Sequence, residues 1–422
     1  MTADRLERIG AYLFADLDRK REALQARGVD VINLSIGDPD LPTPEHIIDA
    51  LMRAARDPRA YRYPPYGGIA GFREAVAEWY RRRFDVRLDP ATEVLALIGS
   101  KEGLAHLPWA LLNPGEAALI PDPGYPVYRS ATILAEGTPI PFPLGAERGF
   151  VPDLSRIPAA SARRARLLFL NYPNNPTAGV TDLSFFEEAV AFARAHDLVV
   201  AHDNSYSEIA YDGYRPPSFL QADGAKEVGV EFHSLSKTFC MTGWRIGFAV
   251  GNAAVIKALG TIKTNIDSGI FRAVQEAGIA GLLGPTEPLR ERLEVYQRRR
   301  DRVSDGLRAI GWPAPRPRAT FYVWMVAPEG RSGADFAAEV LERTGVVITP
   351  GAGYGSQGER YVRLSLTTPD ARLDEALDRM ARSFGSEAPP SGFGREAPPA
   401  RFGGEVAPSR IGGEDSSRKS GD

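Results

Sequence analysis

The chain has 422 residues, 43% hydrophobic and 25% charged, with acids and bases mixed to a formal net charge of -3. That balance excludes a nucleic-acid or polyanion partner read from charge, and the length favours two domains over one. One cysteine, Cys240, leaves no disulfide framework within the chain and favours an intracellular protein; the opening residues are charged rather than apolar, no apolar run reaches membrane-spanning length, and the histidines lack metal-ligand spacing.

The segment up to about Arg27 reads as helix, and "VINLSIGDPDLPTP" as a short strand followed by a loop rich in Pro and Gly. In "GIAGFREAVAEWYRRRF" the spacing puts Phe72, Val76, Trp79 and Tyr80 on one helical face. Strand patterns follow in "TEVLALI", "AALIP", "RLLFLNYP", "LVVAHD", "VGVEFHS" and "RIGFAVG", with helices between several of them. Ser184 and Glu187 match a capping box ahead of "AVAFARAHD". Strands alternating with helices predict an α/β domain with a mainly parallel sheet. After about residue 285 a long charged helix, "TFYVWMV", a helix from about Gly333, "VVITP", "YVRLSL" and a last helix to about Phe384 predict a smaller α+β domain, completed in part by the N-terminal segment. The expected division is 1–45 for the N-terminal arm and part of the small domain, 46–285 for the large domain, 286–384 for the small domain and 385–422 for a tail. There "EAPPSGFGR", "EAPPARFGG" and "EVAPSRIGG" form a degraded nine-residue repeat, too poor in apolar groups to bury a core, which reads as disordered.

Chemistry gathers where the strands end, the place open α/β sheets bind ligands. In "IGSKEGLAHL" Gly99, Ser100 and Lys101 offer backbone N–H groups and a hydroxyl at a helix N-terminus; an anion site and a plain strand-to-helix turn both account for them. "IPDPGYPVY" holds Tyr125 on a rigid turn, as a flat wall for an aromatic ligand or as an ordinary buried tyrosine. "NYPNNPTAG" is denser in Asn and Pro than a turn needs, and Asn175 can donate from it. "VVAHDNSYSEI" ends an apolar strand on Asp203, a carboxylate that is costly there without a cationic partner unless it caps the next turn. Tyr206 follows closely. "HSLSKTFCMTGWRIGF" embeds Lys237 among apolar neighbours with Ser234, Ser236 and Arg245 nearby. A buried lysine loses its charge readily and becomes a nucleophile, and hydroxyls with a guanidinium fork suit a phosphate. Phosphate, aromatic wall, acidic partner and amine together describe a site for pyridoxal 5'-phosphate (PLP). "GAGYGSQGERYVRLSL" matches G-x-G-x-x-G, but a strand follows instead of the helix a dinucleotide needs, so that reading is rejected. The same strand carries Arg363, suited to a carboxylate or to a structural ion pair.

The ordered set "YPPYGGIAGFREA", "GSKEG", "DPGYPVY", "NYPNNPTAG", "HDNSYSEI", "SLSKTFCMTGWRIG" and "YVRLSL" resembles the class I/II PLP-dependent aminotransferases of fold type I over roughly residues 5 to 384. The likeness is greatest to the LL-diaminopimelate aminotransferases, in the N-terminal stretch and in "FHSLSKTFCMTGWRIG" and "KTNIDSGIF". Two places depart from that pattern: Asn204-Ser205, where small residues such as Ala-Ala are usual, and Phe239-Cys240, where Tyr-Asn is usual. The resemblance implies a mixed, mainly parallel sheet in a large domain with a smaller α+β domain. It implies that Lys237 takes the cofactor aldehyde as a Schiff base and later moves a proton, that Asp203 pairs with the ring nitrogen, and that Asn175 and Tyr206 bond the phenolic oxygen. Tyr125 would stack on the ring, and Ser100, Lys101 (at least its backbone), Ser234, Ser236 and Arg245 would hold the phosphate. Arg363 would bind the substrate carboxylate beside Asn175 and the Gly37 backbone, and Tyr66 would reach the neighbouring subunit's phosphate in a cytoplasmic homodimer with shared sites. The implied reaction is ping-pong transfer of an amino group from glutamate to tetrahydrodipicolinate, on the lysine pathway; another aminotransferase of the group, or a PLP-dependent C–S lyase, uses the same central residues. A non-catalytic PLP-fold domain of a transcription regulator needs an attached basic DNA-binding domain, for which the N-terminus is too short and the tail neither basic nor structured enough.

Overall fold

Continuous apolar strands buried on both faces build the centre of the molecule, as a parallel sheet covered on both sides requires. The computed structural model describes residues 2–9 and 15–385; the repeat-bearing tail expected beyond them lies outside the described residues. In chain order the strands are β1 (Ile32–Asn33), β2 (Val94–Leu97), β3 (Ala117–Asp122), β4 (Thr138–Pro143), β5 (Ala165–Asn171), β6 (Val199–Asp203), β7 (Gly229–Ser234), β8 (Gly247–Gly251), β9 (Tyr322–Val326), β10 (Val346–Val347), β11 (Thr349–Pro350) and β12 (Tyr361–Ser365). Seven of them form one sheet in the order β2-β8-β7-β6-β5-β3-β4. Only β8 runs antiparallel to its neighbours β2 and β7; the other pairings are parallel.

Each face of this sheet has its own core. On one side Ile47, Phe72, Val76, Tyr80, Phe186 and Leu282, from the helices Glu45–Ala55, Ala70–Phe84, Leu183–His196 and Arg272–Leu283, pack on Leu168, Leu170, Val200 and Phe248. On the other side Leu104, Leu107, Val127, Tyr128, Val255 and Leu259, from the helices Ser100–Leu111, Val127–Leu134 and Ala253–Thr264, pack on Leu167, Phe169, Ala201, Val230 and Phe232. Of the expected helical face, Phe72, Val76 and Tyr80 are fully buried and Trp79 is partly buried against the same core. β4 was not expected: "TPIPFP" carries three prolines, which cannot donate to a ladder, and it survives because it is the edge strand with β3 on one side only.

A third core joins the antiparallel order β11-β12-β9 to the helices Glu287–Ala309, Gly333–Thr344 and Asp370–Phe384. β1 pairs in parallel with β10, and Ile32 and Leu34 are buried in this core. The capping box expected at Ser184 and Glu187 is displaced. The helix begins two residues earlier, the Asp182 carboxylate accepts from Phe185 N at 3.3 Å, and Ser184 donates its hydroxyl to Asp182. The glycine-rich "GAGYGSQG" forms two short 3-10 turns and leads into β12, with no helix. It is tied to the end of β3, where Asp122 accepts from Ser356 N (3.2 Å), Ser356 Oγ (2.8 Å) and Gln357 N (3.0 Å). At Gly355, φ +135°, a Cβ would lie 2.0 Å from that carboxylate.

Candidate active site

The carboxyl end of β7 and the adjoining ends of β2 and β8 form a cup of donors. β2 stops at Leu97, the chain turns through Gly99 at φ 76°, and the helix Ser100–Leu111 starts. The first-turn N–H groups of Ser100 and Lys101 have no acceptor within a helix and carry the positive end of its dipole. The Arg245 guanidinium lies over Gly99, so close that a Cβ there would meet Nη2 at 2.3 Å; it donates to Thr242 O (2.8 Å) and Ile98 O (3.3 Å). Across the ladder Gly247 pairs with both Leu97 and Ser234. Ser234 caps the four-residue helix Leu235–Thr238, its hydroxyl accepting from Ser236 N at 3.2 Å. The Ser236 hydroxyl is buried and has no hydrogen-bond partner. The Lys101 side chain is exposed, so only its backbone belongs to the cup.

One strand over, Asp203 ends β6 level with Asn171 of β5. Its carboxylate is 5% exposed. Burial pushes its carboxyl up, while donors from Ser205 and Tyr128 pull the other way. Oδ1 accepts from Ser205 Oγ at 2.6 Å and Oδ2 from Tyr128 OH at 2.9 Å. Tyr125 sets its ring edge-on to Tyr128, 5.9 Å between centroids. Asn171 Nδ2 donates to Asp203 O (2.7 Å), and Asn171 Oδ1 accepts from Asn175 N (2.8 Å), so the Asn-Pro loop is pinned to the end of β6.

Lys237 and Arg363 both donate to a strap at Ser35–Gly37. Lys237 Nζ donates to Gly37 O at 2.7 Å, and Arg363 Nη2 to Ser35 O at 2.6 Å. Arg363 Nη1 donates to Asn175 Oδ1 at 2.8 Å. The guanidinium is 4.1 Å from the Tyr322 ring centroid and 5.0 Å from that of Tyr354, and its Nε is buried without a partner. Tyr206 OH meets Tyr322 OH at 3.0 Å. Gly37 has to be glycine, because a Cβ would lie 1.9 Å from the Tyr322 hydroxyl oxygen. Desolvation pushes the Lys237 amine down to about 8; Asp38 opposes this, and Arg363 and Arg245 reinforce it.

Contacts therefore join Ser100, Asp203, Asn175, Arg363, Gly37, Lys237 and Tyr206, with Tyr125, Ser234, Ser236 and Arg245 packed beside them. Tyr66 stands apart from this set, half-exposed on the stretch that pairs with β2 through Gly67 O. The sequence reading missed Tyr128, Tyr322 and Ser35 as site residues and did not see what Ser205 touches. Tyr128 follows Tyr125 by three positions in "DPGYPVY" and was there to be noticed; Tyr322 and Ser35 carry no local signal.

Phosphate, basic ring nitrogen and aldehyde each have a fitting group here: the donor cup with its unpartnered Ser236 hydroxyl, the buried Asp203, and a buried amine of lowered basicity. The sequence description of aminotransferase class I and II matches residues 29–380. The chain belongs to that family. It is a PLP-dependent transaminase of fold type I. It is 55% identical over 383 residues to the LL-diaminopimelate aminotransferase of Desulforudis audaxviator, covering 91% of this chain and 98% of that one. The LL-diaminopimelate aminotransferase of Moorella thermoacetica matches equally, at 55% over 383 residues with the same coverage. Among solved structures, a probable N-succinyldiaminopimelate aminotransferase from Thermus thermophilus superposes with a TM-score of 0.83 at 40% identity, over 88% of this chain and 99% of that one. Among the described residues no helix is long and apolar enough to cross a membrane.

Proposed function

We propose that this transaminase is an LL-diaminopimelate aminotransferase, moving an amino group from glutamate to tetrahydrodipicolinate and yielding LL-diaminopimelate and 2-oxoglutarate. The observation that carries the reading is the identity to relatives of that name along nearly their whole length. The geometry supports the chemistry. PLP, when bound, supplies an electron sink that makes a neighbouring C–H bond acidic. Lys237 Nζ would hold the cofactor through its aldehyde, and its free amine would be the base that moves the substrate's Cα proton. Asp203 would receive the ring N–H. Arginine only donates, so the Asn175 atom facing Arg363 is Oδ1, which leaves Nδ2 to donate to the phenolic oxygen together with Tyr206 OH. Tyr125 supplies the wall for the ring. The N–H groups of Ser100 and Lys101, the hydroxyls of Ser234 and Ser236, and Arg245 would hold the phosphate. Arg363 presents its fork to the substrate carboxylate beside Gly37.

The same reading makes the enzyme a cytoplasmic homodimer, with Tyr66 completing the partner's phosphate cup. Exposed Tyr61 (72%), Tyr63 (87%), Tyr66, Ile266 and Phe271 support it: the 64–65 prolines pack on Gly269, so these side chains belong to neighbouring surface segments, and apolar surface in that amount marks an interface. It also divides the chain into a PLP-binding domain at 46–285 and a small domain at 286–384 that shares the N-terminal arm. Mixing holoenzyme with glutamate should convert its visible absorption to that of the amine form of the cofactor, and tetrahydrodipicolinate should restore it faster than oxaloacetate, pyruvate or aromatic keto acids. Restoration by one of those acids alone would reassign the substrate, and no conversion by glutamate would point to lyase chemistry.

A further inference from the structure

The sequence resemblance singles out Asn204-Ser205, and the structure gives the serine a specific contact. Ser205 is 7% exposed. Its hydroxyl lies 2.6 Å from Asp203 Oδ1, the shorter of the two side-chain bonds to that carboxylate. Its backbone N–H faces the same oxygen at 3.3 Å, and its Oγ lies 3.2 Å from Ser100 Oγ. We infer that Ser205 is a positioning residue that keeps the Asp203 carboxylate ionised against the cofactor's ring nitrogen and links it to the phosphate cup through Ser100.

Hydrogen counting supports the direction. An ionised carboxylate only accepts, so the single hydroxyl proton of Ser205 is directed to Asp203, and the proton in the Ser100 contact comes from Ser100. The line runs from the helix N-terminus at Ser100 through Ser205 to Asp203. Asp203 is otherwise enclosed by Tyr128 and Tyr125, with His202 turned to the opposite face of the sheet, where its Nδ1 lies 2.8 Å from Glu231 Oε2. A proton shared between a buried carboxylate and a pyridine nitrogen moves toward the carboxylate whenever the carboxylate loses a donor, because hydrogen bonds to the charged form favour that form. An alanine, with no hydroxyl, leaves that work to Tyr128 and the backbone. The serine therefore holds the pair on its ionic side, with the proton on the ring, where it strengthens the electron sink.

The inference rests on PLP binding with its ring nitrogen at Asp203. The test uses holoenzyme reconstituted with PLP carrying 15N in the ring, read by 15N NMR, for the wild type, Ser205→Ala and Ser205→Cys. Cysteine keeps the site filled and weakens the donor. The wild-type resonance is expected at the protonated position. Both variants are expected to shift toward the unprotonated position, with PLP dissociation constants raised about tenfold. Wild-type spectra in both variants, or a shift in Ser205→Ala alone that Ser205→Cys lacks, would reduce Ser205 to a packing residue and overturn the inference. Asp203→Asn separates this failure from a failure of the cofactor reading: if that substitution also leaves the resonance unmoved, or the wild type takes up no PLP, it is the placement of the ring at Asp203 that fails.

Discussion

Lys237 shows how one residue acquires reactivity from its surroundings. Desolvation penalises its ammonium form and brings the amine down to about 8, with Asp38 and, less strongly, Cys240 pulling it up. The sign is that of a buried base: the neutral nucleophile appears at lower pH than on an exposed lysine, whose value is about 10.4. Imine formation between apoenzyme and pyridoxal, followed by absorbance, should reach half its maximal rate near pH 8; a midpoint near 10 would mean that the amine is not desolvated. Arg363 makes a second prediction. Arg363→Lys keeps the charge and loses the fork, so kcat/KM for glutamate should fall about tenfold to a hundredfold with PLP absorbance intact; unchanged kcat/KM would remove the arginine from substrate binding. Both residues were legible because each is a charged group among apolar neighbours. The groups that orient them were not: Tyr322 lies against Arg363 and Gly37, and Ser35 holds Arg363, only because β12, β9 and the N-terminal strap are packed together.

Among the elements, the helix Ser100–Leu111 depends on the turn before it. Gly99 has φ 76° and carries Arg245 against its Cα. Gly99→Ala adds backbone strain of about 1–3 kcal/mol and displaces the guanidinium, so PLP affinity by fluorescence titration should fall at least about tenfold; wild-type affinity would show that the cup tolerates the change. β7 makes a different prediction. Glu231 is 0% exposed and accepts from Tyr80 OH, Asn204 Nδ2, Ser218 Oγ and Phe219 N, with both His202 and His233 on its oxygens. Burial pushes its carboxyl up, but the two imidazoles outweigh this and hold it well below the usual carboxylate range. Glu231→Gln should cost about 3 kcal/mol in urea unfolding of the apoenzyme at pH 7; a loss below about 1 kcal/mol would show that the charge is not needed. Most strands were readable as apolar runs between turns. β4 was hidden by its prolines, and the cap read at Ser184 lies two residues past Asp182, which caps the helix. Two of the five histidines, His202 and His233, meet on Glu231 because β6 and β7 are paired in register.

In the whole molecule the strap from Ser35 to Thr43 ties the cores together. Ser35 O, Ile36 O and Gly37 O accept from Arg363, Thr367 and Lys237 in turn, Asp40 pairs with Arg299 at 2.7 Å, and Thr43 donates to Cys240 O. Arg363 and Lys237 are therefore held to a common segment. The sequence places these residues far apart, and only the resemblance to a family joined them in advance. Sharing of sites between subunits is open to a complementation test. Neither Lys237→Ala nor Tyr66→Phe homodimers should be fully active, but in a hybrid one site receives an intact Lys237 and an intact Tyr66. Activity recovered on mixing and refolding the two supports the shared site; a mixture no better than its parents contradicts it. The most direct measurement is the position of the cofactor itself. Holoenzyme reduced with borohydride and digested should carry the phosphopyridoxyl label on Lys237 alone. A label on Lys101, Lys226, Lys263 or any other lysine, or no label, would contradict the account.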